Sequence, residues 1–379
     1  MPDVLIVGAG PAGSIAGLVL ARAGARVSIV DRASFPRDKL CGDTINPGTL
    51  ARLRALGVAD EINVRGLRVD GMMLTSERDA VIGRYPSGLC GRAILRRDLD
   101  AILLQHAIDA GCAFEPRVRV TGAIVDDGRV VGARAAGARG CRLSARVTIA
   151  ADGRRSAIAW GLGAARHPVS PRRWAIGAYF HSPTHQFTNS PILGEMHVRR
   201  NCYIGVAPVG QKLTNVCVVR ASAPADPALR DPVKLLRDTL RVDPHLAPRF
   251  ADASMVTPPV VLGPLAVDAA PPDLDGLLLA GDAAGFIDPM TGDGLRFAIR
   301  GAELAAHAAL DALAHGWRGA HARHAARRRE EFGGKQRFNR GIRSLVASPS
   351  LVDVAAIGAR VAPVVFERLI AHAGDCGVA

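Results

Sequence analysis

Lysine is scarce. Four lysines (Lys39, Lys212, Lys234 and Lys335) stand among 48 basic residues, so the formal net charge of +13 is almost wholly an arginine excess. That excess is spread along the chain, with one local concentration after residue 317. Aromatic residues are few: 10 Phe, 3 Tyr and 3 Trp. Nucleic-acid surfaces interleave such rings with basic runs, so no nucleic-acid partner is expected. Paired cysteines are missing. The seven cysteines form no CxxC and no zinc spacing, which gives neither a metal site nor a disulfide framework and points to a reducing, cytoplasmic setting. Long apolar runs are missing as well. No stretch reaches the roughly 20 residues that a membrane helix needs. The apolar segment 4–20 follows Met1-Pro2-Asp3, without a cationic start, and glycines interrupt it, so it does not read as a signal peptide.

What is present is the composition of a folded protein, 49% hydrophobic and 22% charged over 379 residues. That length suits two domains, or one with a large insertion. It allows burial of roughly three quarters of the unfolded surface.

The first 31 residues carry a specific pattern. Val4-Leu5-Ile6-Val7 reads as a strand buried on both faces. Gly8-Ala9-Gly10-Pro11-Ala12-Gly13 follows, then a helical stretch to Gly24, a second strand at 25–30, and Asp31 at its end. Gly8 permits the tight turn, Gly10 lets backbone approach a diphosphate, and Gly13 allows helix and strand to pack closely. The diphosphate sits at the positive helix N-terminus. Asp31, with Arg32 beside it, stands where a carboxylate meets ribose hydroxyls. This pattern leaves FAD and NAD both open.

A second half of the site lies late in the chain. Leu277-Leu278-Leu279-Ala280 is a buried strand leading into Gly281-Asp282, then Asp288-Pro289-Met290-Thr291-Gly292-Asp293-Gly294, and a helix from about Leu295 to His315. Asp282 offers an acceptor to a sugar-alcohol chain. The N–H groups near Gly292, Gly294 and Leu295 offer a positive dipole to an electron-rich ring edge.

With both motifs in order, the chain resembles the FAD-dependent superfamily of aromatic hydroxylases, flavin-dependent halogenases and geranylgeranyl (isoprenoid) reductases. The resemblance implies FAD as cofactor and NAD(P)H as a transient electron donor. It places Asp282 at the ribityl chain and the Pro289–Leu295 turn at the flavin edge. Ala151-Asp152-Gly153-Arg154-Arg155-Ser156 resembles the superfamily's DG fingerprint, with Asp152 near the cofactor. Phe35-Pro36-Arg37-Asp38-Lys39-Leu40-Cys41-Gly42-Asp43 resembles the FPR-x-K-x-CG segment of the isoprenoid reductases, which brings Lys39 and Cys41 to the flavin. Arg96, four residues before Asp100, resembles an R-x-x-x-D helix start whose arginine lies beside the cofactor, with Arg92 and Arg97 as nearby rivals.

The implied fold is α/β: a Rossmann-like FAD-binding domain of glutathione-reductase type, an inserted and mainly antiparallel substrate sheet, and C-terminal helices. The expected division assigns 1–70, 95–165 and 270–300 to the FAD-binding domain, 71–94 and 166–269 to the substrate domain, and 301–379 to a helical segment. Expected roof strands are 174–180, 195–198, 203–208 and 215–219, with a helix at 233–240. Nine Lys/Arg between Arg318 and Arg343, against Glu330 and Glu331, suggest a solvated basic helix, or a docking face for an anionic membrane or an acidic carrier protein. Apolar positions recur at helical spacing from Leu345 to Leu369.

The reaction turns on Cys202-Tyr203-Ile204-Gly205-Val206-Ala207-Pro208. It aligns with the Y-x-W-x-F-P sequence of the isoprenoid reductases, but Gly205 and Ala207 replace the two aromatics. Lost ring surface leaves open volume over the flavin. The expectation is therefore an NAD(P)H- and O2-using monooxygenase of an aromatic or lipid-substituted small molecule, with reduction of prenyl double bonds as the alternative. The halogenases' W-x-W-x-I-P is missing, so halogenation is not expected. Tyr203, Gly205, Ala207 and Pro208 are the expected substrate-pocket residues. Cys41 and Tyr203 are the catalytic candidates. No general base is assigned among His181, His185, His197 and Glu195.

Overall fold

A computed structural model describes the chain except residues 87, 138–140, 171, 182–190, 211, 271, 347–350, 352, 355, 356, 359, 360, 378 and 379. Candidate base His185 lies outside the described residues.

Five parallel strands form the cofactor sheet, in the order Leu277–Leu279, Val147–Ala150, Val4–Val7, Val27–Asp31 and Ala113–Pro116. Parallel strands covered on both faces need apolar side chains in both directions, and all four residues of Val4–Val7 are buried. Ile6 sits in register between Ile29 and Ile149. The crossover helix Pro11–Arg22 starts on a proline, which lacks the N–H that the first turn would leave unused. Its apolar face and that of helix Gly294–His315 share one core with this sheet, through Ile15, Ala16, Leu295, Ile299 and Ala302.

Above it lies an eight-stranded, mostly antiparallel sheet. Its centre runs Arg173–His181, Leu213–Ala221, Cys202–Pro208, Leu193–Arg199. Gly71–Thr75 pairs in parallel with Leu193–Arg199, and Ala80–Arg84 forms the edge. All four roof strands expected from the sequence are present, each one or two residues longer at one or both ends. The neighbouring strand Gly91–Ala93 instead joins Thr44–Ile45 and Leu67–Val69 in a small separate sheet.

Alternation gives the roof two faces. On the far face Ile176, Phe180, Ile204 and Val218 pack against Leu235, Leu236 and Leu240 of helix Pro232–Val242. Each fully buried aliphatic of this kind contributes roughly 1.5–3 kcal/mol relative to exposure. On the near face Ala175, Tyr203 and Val219 pack against Leu265 and Met290. Met290 belongs to the turn after the second motif, so the near face lies over that turn.

Helices Ala320–Val346 and Pro363–Ala373 close the chain. Phe366 and Ile370 lie against Gly83 of the edge strand. The buried Lys335 ammonium donates to His372 O at 2.6 Å and Ala373 O at 2.9 Å, and pairs with Asp375 and Asp293. Asp293 sits at the start of helix Gly294–His315, so this cation fastens the C-terminal helix to the second motif.

Candidate flavin site

The glycine loop is built as its spacing predicts. A Cβ on Gly13 would fall 1.7 Å from Gly8 O, so only glycine lets the helix sit this close to the strand. Gly10 caps helix Pro11–Arg22 with no side-chain hydrogen bond, and a Cβ there would meet nothing nearer than Arg37 Nη2 at 3.5 Å. The helix N-terminus is thus open to an anion. Asp31 holds the loop in place. One carboxylate oxygen accepts from Ala9 N–H and the other from Ala33 N–H, both at 2.8 Å. The expected ribose ligand is therefore also a brace for the loop. Arg32, next to it, is exposed.

The second motif arrives at the same place. Gly281 has φ +59°, and a Cβ on it would lie 2.8 Å from the Cβ of Ala12. Two segments about 270 residues apart in sequence therefore touch. Asp282 follows in a single 3-10 turn, Gly281–Ala284. Pro289 opens the next turn, Gly292 takes a left-handed φ of +70°, and helix Gly294–His315 begins without a side-chain cap. Its second residue, Leu295, is buried in the shared core. Two long helices, both uncapped at their N-termini, flank this junction.

Cations line the opening. Arg96 is 5% exposed and pairs with the fully buried Asp100 at 2.9 Å. Arg37 reaches the same carboxylate at 3.2 Å. Lys39 is exposed as a residue. Crowding, then the Arg96 charge, lower its pKa, while Asp282 and Asp100 oppose them. The rivals are engaged elsewhere: Arg92 donates to Asn63, and Arg97 faces Asp38. In the DG segment, Asp152 accepts from Ala157 N–H at 2.8 Å, while its other oxygen is buried without a hydrogen-bond partner. Burial raises the Asp152 pKa.

The near face of the roof forms a grid over the junction. Tyr203, Val219 and Ala175 make one row, Gly205, Cys217 and Gly177 the next, and Ala207, Asn215 and Tyr179 the third. The middle row is low. A Cβ on Gly205 would meet only Cys217 O, at 3.8 Å, and Leu40 fills the space over Gly177. Ala207 and Pro208 are buried, so the open part of the expected pocket is Gly205 and its neighbour Cys217.

Tyr203 is 5% exposed and its hydroxyl donates to Asp288 Oδ1 at 2.7 Å. Arg173 holds the other Asp288 oxygen at 3.0 Å. In this conformation the Tyr203 hydroxyl serves as an anchor between roof and flavin turn and is not presented to a substrate. Burial, then Asp288, push its pKa well up. The histidine and glutamate candidates also fall away from the chamber. His197 is fully buried between Thr75 (2.8 Å) and Glu195 (2.9 Å), and Arg249 forks onto Glu195. Residues 195 and 197 alternate with Met196, which faces Gly205, so they belong to the far face. His181 is exposed at its strand end.

Sequence reasoning overlooked Asp43. It is 1% exposed and has a left-handed φ of +53°. Its Oδ2 accepts from the Tyr179 hydroxyl at 2.6 Å and from the Asn215 amide; its Oδ1 accepts from Arg96 N–H at 3.1 Å. Burial raises its pKa to about 6 against those stabilising donors. Cys41, two residues earlier, is half-buried; its carbonyl accepts from Asn215 at 2.6 Å, and its thiol lies near the Arg96 charge. Burial, then the nearby Cys41 and Asp43, push Cys217 up to about 12. Asp43 closes the quoted FPR-x-K-x-CG segment, but its partners are 136 and 172 residues away.

These residues fit FAD. The helix start at Gly10 is uncapped, the half-buried Asp282 carboxylate could accept from a sugar-alcohol chain, and one buried Asp152 oxygen lacks a donor. Lys39, Arg37 and Arg96 supply positive charge. Bound FAD supplies the electron-transfer chemistry. The chain's own residues orient it, exclude water and shape the chamber.

Among known proteins, the model of the FAD binding domain family matches residues 1–330. The chain is 32% identical over 321 residues to a menaquinone reductase of Mycobacterium tuberculosis, covering 80% of this chain and 75% of that protein. It is 29% identical over 323 residues to digeranylgeranylglycerophospholipid reductase 1 of Methanopyrus kandleri, covering 82% and 81%. Among solved structures it resembles the flavin-dependent brominase Bmp2, with a TM-score of 0.85, 20% identity and coverage of 99% and 94%. The myxobacterial chondrochloren halogenase CndH gives a TM-score of 0.83 at 20% identity, over 100% and 96%. At that identity the halogenases share the fold alone. The two uncapped helix starts, the crossing at Gly281 and Ala12, and a family match over most of the chain lead to one conclusion: this chain belongs to the FAD binding domain family, within the superfamily of FAD-dependent hydroxylases and isoprenoid reductases.

Proposed function

We propose that this FAD-dependent oxidoreductase reduces a carbon–carbon double bond in the prenyl chain of a lipid or quinone, taking electrons from NAD(P)H. The observation that carries this reading is the low Gly205–Cys217–Gly177 row beneath Leu40, flanked by apolar Tyr203, Val219 and Ala175. A slender aliphatic chain would lie there. The relatives named as reductases of menaquinone and of digeranylgeranylglycerophospholipid support it. The preference for a monooxygenase, drawn from the missing aromatics at Gly205 and Ala207, weakens because Ala207 is buried and opens no space over the chamber.

The test is anaerobic. Reduced holoprotein is mixed with a prenylated naphthoquinone and with a geranylgeranyl lipid. A mass gain of about two units per saturated bond is expected; unchanged lipid under stoichiometric flavin oxidation would refute the reading. The second reading, hydroxylation of a flatter aromatic, keeps one favourable observation: the open space over Gly205. It calls for substrate-stimulated NAD(P)H oxidation with O2 uptake.

A further inference from the structure

The C-terminal segment carries an exposed apolar face that the cofactor site does not use. The described residues between 351 and 361 are helical, and helix Pro363–Ala373 follows. Phe366 and Ile370 face inward onto Gly83. Val354, Ile357, Val361, Val364, Val365 and Leu369 face outward, 42–80% exposed. Aliphatic residues this exposed, recurring every three or four positions, mark a docking surface rather than scattered surface apolars.

Two observations identify the occupant. The preceding helix, Ala320–Val346, is basic, with Arg327, Arg329 and Arg337 exposed. A second copy of the chain would bring like charges together there, whereas an anionic lipid surface neutralises them. The basic helix also reaches the chamber wall. Ile342, near the end of the basic helix, packs onto the near-face cluster that holds Tyr203, Val219 and Met290.

We propose that the exposed face of Val354, Ile357, Val361, Val364, Val365 and Leu369 lies in the interface of an anionic bilayer, with the arginines of helix Ala320–Val346 on the phosphate headgroups, and that a lipid-borne substrate passes from there by Ile342 to the Gly205–Cys217 row. The passage rests on the prenyl-lipid reading; the docking does not. Small aliphatics with flanking arginines are suited to reversible, shallow binding. Among the described residues no helix is long and apolar enough to cross a membrane.

The experiment is co-sedimentation of full-length holoprotein with vesicles of phosphatidylcholine alone and of phosphatidylcholine with 30% phosphatidylglycerol, neither containing prenyl lipid. Pelleting with the anionic vesicles alone is expected, weakening with salt. The double variant Val361→Asp/Val365→Asp and the charge reversal Arg327→Glu/Arg337→Glu should each reduce partitioning about tenfold or more, with flavin content and melting temperature kept. Equal binding to both vesicles, or no binding to either, overturns the proposal. So does a dimer, seen by light scattering, that the Asp variant dissolves. Reduction of prenyl lipid in detergent without vesicle binding would remove the docking and leave the proposed reaction standing; vesicle binding without reduction would do the reverse.

Discussion

The Tyr203 hydroxyl donates across 2.7 Å to Asp288, joining the near face of the roof sheet to the turn that opens at Pro289. Asp288 also accepts from Met290 N–H at 3.0 Å, so one carboxylate caps the turn and receives the roof. Tyr203→Phe should cost about 1–2 kcal/mol of stability, because it leaves a buried carboxylate short of one donor. Urea denaturation measures this. If the substitution instead lowered turnover with stability unaltered, Tyr203 would be a substrate contact after all.

The Gly281–Ala12 contact makes a sharper case. Gly281→Val places a branched side chain at φ +59° and against Ala12 Cβ, at a cost of at least about 2 kcal/mol. The purified variant should be nearly colourless, read as absorbance near 450 nm per chain. Asp282→Ala leaves the backbone intact and removes one acceptor for the cofactor. Flavin affinity should fall about tenfold to a hundredfold, measured by fluorescence titration. Full flavin content in both variants would contradict the assigned site.

Gly205→Trp tests the chamber. Its Cβ has no neighbour within 3.8 Å, so the indole should enter open space and leave flavin binding and melting temperature within the range of surface changes, about 0.5 kcal/mol. The set of accepted substrates should narrow. Unaltered substrate range in a yellow, stable variant would move the chamber away from this row.

Asp43 gives a pH signature. Its folded pKa of about 6 lies above the ordinary carboxylate value of 3.8. The folded state therefore holds the proton more tightly than the unfolded chain. The contribution to stability is complete below pH 3.8 and is lost as pH rises through 6, and it amounts to roughly 3 kcal/mol. The stability difference between wild type and Asp43→Asn, followed from pH 4 to 7, should fall with that sign. Other carboxylates, such as Asp3 with its pKa lowered to about 2 by Arg26, cancel in the difference. A flat difference would show that Asp43 titrates normally.

Much of the cofactor site was legible because its chemistry is local. A diphosphate needs a strand, a glycine turn and a helix start within a few residues, and Gly8–Gly13 supply them consecutively. The ring-edge turn is equally local, from Gly281 to Leu295. The roof strands were legible from alternation. The roles of Tyr203, His197 and Asp43 were not. Whether Tyr203 faces a substrate or Asp288 depends on a contact across 85 positions. Whether His197 faces the chamber depends on strand register, and a shift of one residue would reverse it.

By itself the sequence determined the cofactor and the two segments that would hold it, since backbone conformation and helix dipoles act over a few residues. The tertiary structure alone decided that Gly281 meets Ala12, that Tyr203 fastens the roof, and that Asp43 is buried beneath Tyr179 and Asn215. Each is a pairing of distant groups made by packing two sheets face to face. A side chain's protonation and availability follow from its neighbours in that packing, which no short stretch of chain contains.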